Sequence, residues 1–127
     1  MHLLIVALDT AIPAALPDAE ILVVVPALNS RLRHWLSDED AARRRAAERA
    51  AEIVDRLERT GAHAEGRVGD ADPLLAIADA LPTFPADEIL IAARPEWSTP
   101  LADELVTRAR NRFGLPTFRG EALPRAA

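Results

Sequence analysis

Cysteine, lysine and tyrosine are all missing from this chain of 127 residues. Without cysteine there is no disulfide, no thiolate nucleophile and no thiolate metal site. Without lysine, Schiff-base chemistry, a lysine general base and the phosphate-gripping lysine of a P-loop are excluded. All 15 basic residues are arginine. His, Asp, Glu, Arg, Ser and Thr are left to carry any chemistry. Glycine is scarce too, with five in the chain and none between Gly69 and Gly114. Long apolar runs are also lacking: Leu3 to Leu8 and Ile21 to Leu28 fall well short of the roughly 20 residues that a membrane span needs. No Lys or Arg precedes "HLLIVAL" and Asp9 ends that run, so a secretory signal is not expected and the protein reads as cytoplasmic. The net charge of -5 lacks the basic surface that neutralises phosphates, so neither nucleic acid nor a membrane is an expected partner.

What is present is an orderly alternation. Five β-type runs occur: "HLLIVAL", "EILVVVP", "AHAEGRV" from Ala62, "DEILIAA" from Asp87 and the short "LPTFR" from Leu115. The second and fourth are continuously apolar, as parallel strands covered on both faces should be. Three helical patterns lie between them. The longest starts at Ser37, whose hydroxyl can cap it, with Asp40 completing an acidic capping box. Its inward stripe is Ala42, Ala46, Ala50, Ile53 and Leu57, with Val54 beside it, and Gly61 supplies the stop. Asp40 with Arg44, Glu52 with Arg56 and Asp55 with Arg59 are acid-first pairs at helical spacing. "DADPLLAIADAL" is a second helix, with Asp72 as cap and Pro73 at its first position. "STPLADELVTRARNRFG" repeats that grammar with Thr99 and Pro100, a stripe of Leu101, Leu105, Ala109 and Phe113, and Gly114 as terminator.

The order β, β, α, β, α, β, α, β implies one domain over 1–127. It is a three-layer, flavodoxin-like α/β sandwich on a five-stranded parallel sheet with right-handed crossovers. "LLIVAL" has no polar residue for a solvated face, which places the first strand in the centre. From Asp9 to Ala19 only 11 residues, with Pro13 and Pro17, are available. A crossover usually takes about a dozen or more, so the first helix is expected to be shortened. "GEALPRAA" reads as a loose tail.

Strands of a parallel sheet end at one rim, where ligands of open α/β folds bind. Four connections meet there. They carry Asp9 after the first strand; Asn29, Ser30, Arg31, Arg33 and His34 after the second; Gly69 and Asp70 after the third; and Arg94, Ser98 and Thr99 after the fourth. The arginines suit a carboxylate or phosphate held bidentately, and nearby helix starts favour an anion. A second reading of "PALNSRLRHWLSDED" stands beside this one. Leu28, Leu32, Trp35 and Leu36 recur at helical spacing, and the stretch can equally be a short helix sealing the sheet edge. Asp70 and Asp72 read first as turn and cap residues. His2 and His63 fall at strand starts, on the opposite rim from His34. No shared metal site is expected, and no cofactor is specified.

The strand-one aspartate in "IVALD", the turn glycine in "GRVGDADPLLAIADAL", and the strand "ADEILIAA" followed by a helix and "GLPTF" together resemble a universal stress protein domain. The resemblance covers nearly the whole chain and rests mainly on element order. It implies the strand order 3-2-1-4-5, a fold of the adenine nucleotide alpha hydrolase-like type, an adenosine-side carboxylate at Asp9, and a frequent homodimer. ATP-binding members carry Gly-x2-Gly-x9-Gly followed by Ser or Thr after strand four. Here that segment is "AARPEWSTPLADELVTRARN", without a glycine and stiffened by Pro95 and Pro100. Weak or absent ATP affinity is therefore expected.

The function expected is that of a non-catalytic stress-type regulatory or binding protein, taking a small anionic ligand or nucleotide at the rim. One alternative is a small hydrolase of phosphorylated or nucleotide substrates, using Asp9, Asp70 and His34. Another is a pure protein-interaction module. A homodimer is expected through the short apolar final strand "LPTF".

Overall fold

A computed structural model describes residues 1–8, 19–27, 39–93 and 99–120, with the backbone alone at 39 and 99–101. The elements run β1 (His2–Ala7), β2 (Glu20–Pro26), α1 (Glu39–Arg59), β3 (His63–Gly69), α2 (Pro73–Ala80), β4 (Glu88–Ala92), α3 (Thr99–Phe113) and β5 (Thr117–Gly120). The five strands form one sheet in the order β3-β2-β1-β4-β5. Every pairing is parallel, with Leu3 opposite Ile21 and Glu88, Glu20 opposite His63, and Ile89 opposite Thr117. The central place of β1 follows from its sequence: from Leu3 to Ala7 every residue is buried, so both faces need a cover.

Alternation along the strands divides the core in two. Leu3, Ile5, Ile21, Val23 and Val25 face α1, which answers with Ala46, Ala50, Ile53 and Leu57. Leu4, Val6, Leu22, Val24, Ile89 and Ile91 face the other way, toward Ala76, Ile77 and Ala80 of α2 and Ala102, Val106 and Ala109 of α3. The α1 stripe follows the spacing of its apolar residues, with Ala42 also buried and Val54 partly so. Its outer face carries two of the acid-first pairs, Glu52 with Arg56 at 3.5 Å and Asp55 with Arg59 at 2.9 Å. Positive φ angles at Gly61 (96°) and Gly114 (67°) end α1 and α3 in the left-handed region that other residues enter at a cost.

The α3 stripe is rotated from its expected setting. Ala102, Val106 and Ala109 are its buried line, while Leu105 and Phe113 pack only partly against the cluster. Small residues on the line of closest approach let the helix sit down on the sheet, and the bulkier ones fill the sides. The "GEALPRAA" tail is expected to be loose from its first residue, but Gly120 still belongs to β5; the expected shortened first helix (9–18), the Ser37 cap, the tail after Gly120 and the side chain of Leu101 lie outside the described residues. Among the described residues no helix is long and apolar enough to cross a membrane.

Candidate functional site at the strand-end rim

The ladder runs unbroken to the carboxyl ends of the strands. The N–H of Leu8 donates to the Ala92 carbonyl at 3.0 Å, that of Ala27 to Gly69 at 3.1 Å, and that of Ala93 to Gly120 at 3.2 Å. These bonds bring the ends of all five strands level at one rim. The chain leaves β1 toward β2 and β3 on one side, whereas β4 and β5 lie on the other. The direction of winding therefore reverses between β1 and β4, and a crevice at such a reversal is where open α/β sheets receive ligands.

Gly69 and Asp70 occupy that rim for reasons visible in the packing. A Cβ on Gly69 would lie 2.7 Å from Val24 Cγ1 and 2.8 Å from Ala76 Cβ. Glycine is thus required for α2 to close on β2 and β3, whether or not a ligand approaches. The Asp70 carboxylate accepts the Asp72 N–H at 2.9 Å, and the Asp72 carboxylate accepts the Leu74 N–H at 3.0 Å, with Pro73 opening the helix. The two acids are turn and cap, as their spacing suggests. One Asp70 oxygen is already engaged by that turn. Thr99 is the first residue of α3.

The remaining sequence candidates, Asp9, Asn29, Ser30, Arg31, Arg33, His34, Arg94 and Ser98, lie outside the described residues. Asp9 is the next residue after the rim residue Leu8, and Arg94 the next after Ala93. Sequence reading passed over one cation near the same end. Arg119, one residue before the end of β5, has a side chain only 13% exposed and lies 3.7 Å from Asp103 of α3. The clue available was alternation: opposite Ile91, position 119 must share the helix-covered face.

The opposite rim has its own opening, an open cleft of about 340 Å³ lined by His2, Glu20, His63, Glu65, Thr83 and Phe84 among others. Both histidines stand at strand starts, as their positions imply. His2 meets the Phe84 ring edge-on with centroids 5.5 Å apart. Its N–H donates to Asp87 Oδ2 at 2.8 Å, and the Asp87 N–H returns a bond to the His2 carbonyl at 2.8 Å. Among the described residues no three His, Asp or Glu side chains gather as a metal site would require.

Comparison with known proteins finds no matching family model and no matching curated protein.

Proposed function

We propose that the protein is a non-catalytic binding or regulatory protein of the universal stress type, cytoplasmic and dimeric, that takes a small anionic ligand at the strand-end rim. The observation that supports this most is the reversal of strand order between β1 and β4. The connections that follow those two strands begin with Asp9 and Arg94, and the one after β2 carries Arg31 and Arg33. Guanidinium groups suit a phosphate or carboxylate where glycine-rich backbone is lacking. The absence of glycine between β4 and Gly114 favours anions other than Mg-ATP. Hydrolysis is the weaker reading, because Asp70 is tied into the turn before α2.

Thermal shift with nucleotides, phosphate, sulfate and small carboxylates tests the ligand. A binder present at a hundredfold excess over its Kd should raise Tm on the order of ten degrees. The Arg31→Ala/Arg33→Ala variant should keep the melting temperature of the empty protein and lose that rise. No stabilisation of the intact protein by any of these anions, or an equal response from the variant, would sink the ligand reading. Turnover of a stabilising nucleotide would instead establish the hydrolase.

A further inference from the structure

The outer edge of β3 is the long open edge of the sheet. β3 is a terminal strand, seven residues long. The N–H of His63 and the carbonyl of Gly69 both bond inward, to Ala19 and Ala27. Both backbone groups of a residue leave a strand on the same side and alternate along it. Ala64, Gly66 and Val68 therefore turn theirs outward, and among the described residues nothing pairs with them. Neither proline nor a break in register guards this edge, although exposed edges normally carry such guards.

We propose that two copies of the chain join here, β3 against β3 in antiparallel register, about a two-fold axis through Gly66. In that register Ala64 opposes the second copy's Val68, and Gly66 opposes its own equivalent. The outward residues then all meet in hydrogen-bonded positions, each exchanging its N–H and its carbonyl. Glu65 and Arg67 fall opposite the second copy's Arg67 and Glu65, in the closer positions where side chains interact most. No neighbouring register does this. Centred on Glu65 or on Arg67, the nearest alternatives, that charge would face its own like copy; centred on Ala64, Glu65 would face His63; centred on Val68, Arg67 would face Gly69. An isologous contact needs a self-complementary patch, and the charges supply one in this register alone.

The side chains are placed for it. Arg67 Nη1 donates to Thr83 Oγ1 at 2.8 Å and Nη2 lies 3.4 Å from Glu65 Oε2, so the two charges that would pair across the axis already neighbour each other within one copy. The Glu65 side chain is 70% exposed. On the other face an open groove of about 300 Å³ runs between α1 and β3, lined by Ala47, Ala51, Val54 and Val68 among others. The exposed Ala47 and Ala51 leave room for the second copy's α1. β5, the other terminal strand, is less open: Arg110 Nη2 already occupies the outward carbonyl of Thr117 at 2.6 Å. This proposal rests on the dimeric reading given above and moves its contact from the final strand, β5, to β3; it requires nothing of the rim, so it stands or falls apart from the ligand reading.

Sedimentation equilibrium at a concentration on the order of 50 µM should give the mass of a dimer, since association follows protomer concentration. Glu65→Arg sets like charges opposite each other at both symmetric positions and should raise the dimer Kd about tenfold or more. Adding Arg67→Glu should restore dimerisation, although it forfeits the Thr83 bond. Ala64→Pro removes an N–H that β2 does not use and should leave a folded monomer. The chain has no cysteine, so mixing Glu65→Cys with Arg67→Cys protein under mild oxidation should cross-link the two and neither with itself. That exchange alters only side chains and serves even if the proline variant fails to fold. A monomeric parent protein, including one whose edge takes a strand of another protein, overturns the proposal. So does a dimer indifferent to Glu65→Arg, or a mixture that fails to cross-link.

Discussion

The two outer strands of the sheet are finished in opposite ways. β5 is four residues long, follows Pro116, and has an outward carbonyl closed by a helix arginine. β3 is nearly twice as long, and among the described residues nothing pairs with its outward groups. It is braced from one face, where a Cβ on Gly66 would lie 3.1 Å from Val54 Cγ2 and 3.2 Å from Ala50 Cβ. One edge is closed by a side chain and the other is stiffened without being closed. A strand that is rigid, long and unpaired is suited to pairing, because little ordering entropy remains to be lost on contact. A short strand with its carbonyl already satisfied gains less from a partner. Phe118 fits that picture: at 43% exposed it is an apolar side chain on an edge whose backbone is partly taken.

The brace is where the largest effect is expected. Ile53 is fully buried in the cluster between α1 and the sheet. Ile53→Ala should lower unfolding stability by about 2–5 kcal/mol in urea titration. If β3 depends on α1, the same change should weaken hydrogen-exchange protection in β3 while β5 keeps its own. Equal loss at both edges would break the contrast. Next comes Gly69→Ala, whose added methyl must displace Val24 or Ala76. Overpacking of this kind should cost about 1–3 kcal/mol, read by the same titration, and a neutral result would show that α2 moves freely over β3. The smallest effect belongs to Arg110→Ala. Thr117 is only 1% exposed and this single hydrogen bond caps its outward carbonyl, so its loss should cost on the order of 1 kcal/mol. Its sharper readout is association: with the arginine gone, sedimentation should show larger species through β5. No change in mass would mean that shortness and Pro116, rather than the guanidinium, guard that edge.

Much of the fold was readable before any coordinates, and particular residues show why. Continuous apolar runs such as "ILVVV" can be satisfied only between two covering layers, so central parallel strands followed from them. The α1 stripe and the Asp72 and Pro73 helix start are local signals, with periods and caps that involve only nearby residues. The α3 stripe agrees at Ala109 and differs at its deepest positions, because an i+4 spacing drifts around the helix while the buried line follows Ala102, Val106 and Ala109. Which line lies deepest depends on the sheet beneath it, and there Ala102 and Val106 were admitted by their fit. At the candidate site, composition pointed to arginine chemistry and to the turn acids. The engagement of Asp70 by its own turn and the steric demand at Gly69 needed the neighbouring elements in place.

By itself the sequence determined the element order, the polarity of each strand's faces, the helix caps and stops, and the exclusion of thiol and lysine chemistry. These depend on residue type and on periods of a few residues, which no distant contact can change. Tertiary structure alone decided that Arg110 reaches the Thr117 carbonyl, that Arg119 meets Asp103, and that no described residue pairs with the outward groups of β3. Each of those joins groups brought together by packing, and strand order in a sheet is settled by which crossovers bury both faces at once.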